Sequence, residues 1–423
     1  MLDIKRIRET PEEIIQGLEA RGAAPDIIQV VLEHDRQRRS FLQDVESKKN
    51  ERNRLSKEIG MRRKQGEDTT DSQAEVRALG ESIADLDAKI KSLEEEQQQR
   101  LLSIPNLPSP HTLRGKDESE NQTVRSWGNQ QTFPFTPKTH IELGEALGII
   151  DFNRPTRMTG AGFPLLKAGA AKLQRALIQF MLDLHVNEYG FTEILPPFLA
   201  NRKSMTGTGQ LPKMEDDMYH AQIDDLWLIP TAEVPVTNYY REEIIEEPLP
   251  IYLTAYTPCF RREAGAAGRG TRGLIRVHQF DKVEMVKFVK PETSYDELES
   301  LTAQAEDVLQ RLELPYRVVE LCAGDMSFAA AKCYDLEIWA PGQQEWLEVS
   351  SCSNFEDFQA RRAGIRYRDA KGKPQFVHTL NGSGVALPRL MVAILENGQQ
   401  EDGSIQLPKA IIPYMGGQDR ITV

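Results

Sequence analysis

The stretch FRREAGAAGRGTRGLIRVHQFDKVEM, Phe260 to Met285, sets Arg261, Arg262, Glu263, Arg269, Arg272 and Arg276 among glycines before an apolar alternation resumes. A guanidinium presents a rigid fork that matches phosphate oxygens bidentately. The pattern predicts a strand ending at Phe260, a loop from Ala264 to Gly273 and a second strand carrying Leu274, Val277, Phe280 and Val283. Arginines on such a hairpin could close over a polyphosphate. A solvated hairpin with surface ion pairs worth about 0–1 kcal/mol each fits the same residues. Other phosphate-binding devices are missing. The chain has no GxxxxGK[ST] loop, GTGQLP breaks a dinucleotide fingerprint at Pro212, and no GxSxG elbow occurs.

The elements around this hairpin read as α+β with a mostly antiparallel sheet. LWLIPT, IYLTAYTPCF, VEMVKFV, YRVVEL, YDLEIWA and EWLEVSS are strand-like runs. Gly169–Asn187 predicts an amphipathic helix with Leu173, Leu177, Phe180, Met181 and Leu184 on one face. After it, Ile194 and Leu195 suggest a short strand stopped by Pro196 and Pro197, at a sheet edge or an interface. Pro291–Leu312 predicts another helix, and GSGVALPRLMVAILEN a passage from strand to helix. Strands gathered together with helices outside them give that fold class.

The segment Pro25–Ile104 is different in kind. Val76, Leu79, Ile83, Leu86, Ile90 and Leu93 form an unbroken a/d seam. Upstream, the positions 28, 31, 35, 38, 42, 45, 49, 52, 56 and 59 are apolar at only half their places. KQGEDTTDS separates the two, with an N-cap expected at Thr70 or Asp71. Together they predict an antiparallel helical hairpin, a coiled-coil arm that projects about 50 Å at 1.5 Å per residue. From Arg36 to Lys64 the chain has 11 Lys/Arg and 4 Asp/Glu; from Asp71 to Arg100 it has 4 and 8. Interhelical salt bridges would use such opposite charge. The excess on the first helix also fits a footprint for a phosphate backbone, and that reading is the stronger.

The whole chain carries a formal net charge of −12 over 423 residues, which argues against indiscriminate nucleic-acid binding but not against a local basic stripe. No long apolar run suggests a membrane span, and the charged start MLDIKRIRETPEEI argues against a secretory signal. Cys259, Cys322, Cys333 and Cys352 lack CxxC spacing, so reduced thiols in a cytoplasmic protein are expected rather than a zinc site.

LIPTAEVPVTN (Leu228–Asn238), TPCFRREAG, EWLEVSSCSNFEDFQARR (Glu345–Arg362) and HTLNGSGVALPRLMVAILENGQQEDG (His378–Gly403) follow in that order. Through these motifs the sequence resembles the bacterial-type seryl-tRNA synthetases, class II aminoacyl-tRNA synthetases, over essentially its full length. The resemblance implies a tRNA-binding domain at 1–104 with the arm, a connecting segment at 105–165 and a catalytic domain at 166–423. It implies ATP-dependent activation of L-serine to seryl-adenylate and transfer to tRNA(Ser), with tRNA(Sec) a further candidate. It also implies a cytoplasmic homodimer, and Mg²⁺ with ATP but no zinc.

The residue roles follow from the same resemblance. Arg261 would hold the α-phosphate and the serine carboxylate, and with Arg389 would be catalytic. Glu263 would contact the adenine amino group, with Arg262 beside it. Phe280 would stack under the adenine, and Arg389 would cover the other face and reach the γ-phosphate. Arg276 would hold the polyphosphate. Glu348, Val349, Ser350 and Ser351 would border ATP, with Glu348 and Ser351 on the metal. Thr231, Ala232, Glu233, Glu284 and Ser383 would hold serine. Arg36, Arg38, Arg39, Lys48, Lys49, Arg52 and Arg54 would meet the tRNA through phosphates and 2′-hydroxyls. Two positions depart from the family pattern: Pro388 where glycine is frequent, and Arg262 where a small residue is common. A carrier-protein ligase or a non-canonical amino-acid activator of the same ancestry would lack the arm; a non-catalytic coiled-coil relative would have lost Arg261, Glu263, Glu348 and Arg389.

Overall fold

The computed structural model describes residues 1–264 and 272–422, so Arg269 and most of the expected loop lie outside the described residues. Two compact units emerge: residues 2–19 with 23–105, and residues 1, 20–22 and 106–423.

The first unit is built on two long antiparallel helices, α1 (Ile27–Lys64) and α2 (Thr70–Ser103). The α2 seam buries Ile83 and Ile90 against Val45, with Phe41 and Leu86 packed beside them. The α1 seam departs from the expected positions. Leu42 and Ser56 face outward, and Phe41 and Leu55 turn inward in their place. At both places the apolar residue one position earlier takes the seam, while Val45 between them keeps its expected place. The N-cap of α2 is Thr69, with no side-chain cap bond. Thr70 instead turns its backbone N–H and hydroxyl to Asp68, which corrects the expected cap.

The second unit centres on an eight-stranded sheet. Its strands are β1 (Gln122–Trp127), β2 (Thr192–Glu193), β3 (Ile251–Phe260), β4 (Gln279–Val289), β5 (Tyr316–Glu320), β6 (Lys332–Ala340), β7 (Glu345–Asn354) and β8 (His378–Ala386). The spatial order is β1-β5-β6-β7-β8-β4-β3-β2. Every pairing is antiparallel except the short β2 against β3. The connecting segment supplies β1, an edge strand, and the short helix α3 (His140–Ala146). The strand after the amphipathic helix sits two residues early, at Thr192–Glu193, and leaves Leu195 exposed. Strand β4 begins only at Gln279, because the chain through Leu274 and Val277 is bent rather than extended.

Helices α4 (Ala168–Asn187), α5 (Ser294–Arg311) and α6 (Leu387–Gly398) belong to one continuous core with the sheet. The core takes Val283 and Met285 from β4, Cys352 from β7, Leu380 and Val385 from β8, and Leu173, Leu177, Leu301, Val308 and Met391 from the helices. Each fully buried aliphatic side chain contributes roughly 1.5–3 kcal/mol of transfer free energy. All four cysteines are free and buried. Burial pushes the Cys352 thiol up to about 12 and raises Cys259 and Cys333 as well. No helix among the described residues is long and apolar enough to cross a membrane.

Candidate active site

Side chains two residues apart on a strand share a face. Phe280, Lys282 and Glu284 on β4 therefore point together, as do Asn381 and Ser383 on β8 and Ser351 and Ser353 on β7. All seven line one cavity of about 530 Å³. The register makes Glu284 and Ser383 direct cross-strand partners. An irregularity in the β6–β7 pairing, where Ser350 pairs Leu336 and Glu348 pairs Glu337, leaves Val349 as an extra residue. Such a bulge re-aims its neighbours, and Glu348, Val349 and Ser351 all reach the cavity.

Arg261, Glu263, Arg276, Phe280, Glu348 and Arg389 line the same wall system. Arg261 Nε donates to the Pro230 carbonyl at 3.3 Å, and its guanidinium carbon lies 5.1 Å from the Phe280 ring centre. Its two terminal nitrogens have no hydrogen-bond partner among the described residues. Arg276 meets Glu263 at 3.3 Å. Arg389 donates from one terminal nitrogen to the Glu348 carbonyl at 2.6 Å and to its carboxylate at 3.3 Å, and from Nε to the Ile275 carbonyl at 3.3 Å. Each of these two arginines thus rests on a carboxylate. The pairs are partly exposed and cost about 0–1 kcal/mol to part. Pro388 sits in the first turn of α6, where a proline is tolerated, so this departure leaves the helix that carries Arg389 intact.

Deeper in the cavity lies a buried polar cluster. The Thr231 hydroxyl donates to Glu284 Oε2 at 2.9 Å and accepts from Lys282 Nζ at 2.8 Å and from the Glu233 N–H at 3.2 Å. A hydroxyl offers one donor and two acceptor sites, so that of Thr231 is saturated. Lys282 also forms a buried ion pair with Glu284. Asn381 Nδ2 donates to Glu284 Oε1 at 3.3 Å. Glu233 accepts from Gln359 Nε2 at 2.5 Å, and Gln359 is fixed by the Thr208 carbonyl and the Thr379 hydroxyl. Burial first, and the charge of Glu284 second, push the Glu233 carboxyl up to about 7.

Three expected residues are placed otherwise. Ala232 is buried in an apolar cluster with Val236 and Tyr240. Arg262 is exposed, its N–H bound to the Asp217 carbonyl. The Ser350 hydroxyl turns back to the Ser383 carbonyl at 2.6 Å. Sequence reasoning missed Lys282, Asn381 and Gln359, although period-2 spacing from Phe280 could have found Lys282. It also missed Asp335, whose carboxyl burial first, and Glu348 second, raise well above the usual range.

On the arm, Arg38 reaches Glu94 at 2.8 Å and Lys49 reaches Asp87 at 3.8 Å, both across the hairpin. Arg36, Arg39 and Arg54 pair within α1. Lys48 and Arg52 make no ion pair among the described residues. Opposite charge on the two helices is therefore partly spent on the hairpin itself.

The chain matches the tRNA synthetase class II core domain (G, H, P, S and T) over residues 214–398 and the seryl-tRNA synthetase N-terminal domain over residues 1–108. It is 56% identical to the serine–tRNA ligase of Carboxydothermus hydrogenoformans, over 100% of this chain and 99% of that one. It is 54% identical to that of Geobacter sulfurreducens, over 100% of both. The seryl-tRNA synthetase of Pyrococcus horikoshii, solved in complex with ATP, superposes with a TM-score of 0.95 at 39% identity, covering 100% of this chain and 99% of that one.

Proposed function

The chain belongs to the seryl-tRNA synthetase family, ATP-dependent class II ligases that activate serine and charge tRNA, and from this premise we propose how its cavity divides the work. The observation that carries the reading is the convergence of Arg261, Glu348 and Arg389 on one cavity with the Glu233–Glu284 cluster at its floor.

A serine carboxylate attacking the α-phosphorus of ATP is already ionised near neutral pH, so no general base is required. The two substrates are both anionic, and alignment with charge cancellation is what the site has to supply. Arg261, whose two terminal NH₂ groups have no partner among the described residues, bridges the serine carboxylate and the α-phosphate. Phe280 carries the adenine, with the Arg261 guanidinium displaced from the ring toward the phosphates. Arg276 and Arg389 leave Glu263 and Glu348 for the outer phosphates. Glu263, once released, accepts from the adenine amino group.

Glu348 and Ser351 offer hard oxygen donors, and the sulfur beside Ser351, Cys333 Sγ at 3.1 Å from its hydroxyl, is a thiol that burial keeps protonated, which suits Mg²⁺ shared with nucleotide phosphates rather than zinc. When bound, Mg²⁺ neutralises phosphate charge.

The serine ammonium lies against Glu233, and the serine hydroxyl against Glu284 and Ser383. A site built to hydrogen-bond a hydroxyl rejects the analogue without it by roughly 10⁴. Thr231, its hydroxyl saturated, acts as a positioning residue that orients Glu284 and offers substrate only its backbone carbonyl. On the arm, Lys48 and Arg52, the two expected contact residues with no ion pair among the described residues, meet RNA phosphates, with tRNA(Ser) and tRNA(Sec) as substrates. The active form is a cytoplasmic homodimer. Serine-dependent exchange of pyrophosphate into ATP, followed by charging of purified tRNA(Ser), tests the reading; loss of both with Arg261→Ala is expected, and exchange surviving that change refutes it.

A further inference from the structure

His140 and Glu396 are fully buried, yet neither faces the cavity. The Glu396 carboxylate collects four donors. Oε1 accepts from the His140 backbone N–H at 2.8 Å and from Nδ1 at 3.0 Å; Oε2 accepts from the N–H groups of Gly342 at 2.9 Å and Gln343 at 3.1 Å. On the other side of the ring, Nε2 accepts the Leu274 N–H at 3.1 Å. That acceptance settles the tautomer: in a neutral imidazole Nδ1 must hold the proton and donate it to Glu396. The Gln343 side-chain nitrogen, at 3.5 Å from Nδ1, is the more distant neighbour. Gly273 passes so close, at φ +98°, that a Cβ there would lie 2.4 Å from Nε2.

Leu274 is followed by Ile275, whose carbonyl holds Arg389 Nε, and by Arg276. Arg389 and Glu396 both sit on α6. The contacts therefore close a ring from Glu396 through His140, Leu274 and Ile275 to Arg389 and back along the helix. We propose that His140, held by Glu396, is a positioning residue for the triphosphate site, fixing the segment 274–276 so that Arg276 and Arg389 face the outer phosphates together. The inference rests on the assignment of those two arginines to the triphosphate. It adds a residue from the connecting segment that touches no substrate. An amide donor left without its acceptor in a buried place is costly, so removing Nε2 frees the segment to shift.

The test is pyrophosphate exchange by the full chain, with ATP and serine varied separately, for His140→Phe, His140→Gln and Arg389→Ala, together with hydrogen exchange at the Leu274 amide. His140→Phe is expected to raise KM for ATP about tenfold, the effect of one lost buried acceptor, with KM for serine unchanged within about twofold. His140→Gln, which keeps a side-chain acceptor, recovers most of that loss. Leu274 exchange accelerates in His140→Phe while the α6 amides keep their protection. Should His140→Phe fail to fold, Gly273→Ala perturbs the same contact from the loop side and shows the same split between the two KM values. Unchanged KM for ATP, or both KM values rising together, overturns the proposal. If Arg389→Ala lowers ATP affinity while His140→Phe does not, the anchor alone is wrong; if Arg389→Ala binds ATP normally, the triphosphate assignment fails first.

Discussion

With the serine ammonium placed against Glu233 as proposed, serine binding should release a proton below neutrality from Glu233. Its carboxyl is buried and lies near the charge of Glu284, which together lift it from 4.5 to about 7. The gap corresponds to roughly 3 kcal/mol in favour of the neutral acid. The folded state keeps a proton that the unfolded chain gives up between those pH values. This group's contribution to stability is therefore fully present below about 4.5 and falls as pH rises through about 7. A substrate ammonium beside Glu233 favours the carboxylate and reverses that preference. At about pH 6 roughly a tenth of the free protein has Glu233 ionised, against about nine-tenths at pH 8, so serine affinity should improve about tenfold over that range and then level. Titration calorimetry at about pH 6 in buffers of different ionisation enthalpy should show close to one proton released per serine bound. Glu233→Gln should bind serine weakly with no such pH dependence. A flat serine affinity between pH 6 and 8, with no dependence of the observed enthalpy on buffer, would refute the placement of the ammonium on Glu233.

Other expectations are simpler to state. Arg261→Ala should lower pyrophosphate exchange by about 10²–10³, the scale of losing a preorganised charge contact at the reacting phosphorus, with an unchanged thermal unfolding midpoint. Lys48→Glu with Arg52→Glu should leave exchange intact, raise KM for tRNA and flatten its dependence on salt; unaltered tRNA KM would place the RNA elsewhere. Leu173→Ala, in the core beneath the sheet, should cost about 2–5 kcal/mol in urea unfolding without changing either substrate KM in the folded fraction.

The elements were legible wherever a single period dominated. IYLTAYTPCF is strand β3 to the residue, and the α2 seam is the heptad read from Val76 to Leu93. The α1 seam misled at Leu42 and Ser56, where the apolar residue one position earlier turns inward, while Val45 keeps its expected place. On β4, burial of both faces erases alternation, so the polar face of Phe280, Lys282 and Glu284 was visible only in part. Arg261, Glu263, Glu348 and Arg389 could be singled out because the motifs are local in sequence. Gln359 and Asn381 stand inside those same motifs, but their roles and that of His140 could not be read, because strand register and loop closure bring them to partners 126, 97 and 134 residues away. The saturation of Thr231 was equally hidden, as it depends on which donors happen to converge there.

The four sulfurs sealed inside the folded unit have a practical corollary. Buried sulfurs are poor nucleophiles, those of Cys259, Cys333 and Cys352 also because burial raises their thiols, so an alkylating reagent has no target until the surrounding structure opens. Covalent label gained over time would then count openings of the sheet one molecule at a time, and ATP or serine in the cavity should slow that clock in proportion to how tightly each is held.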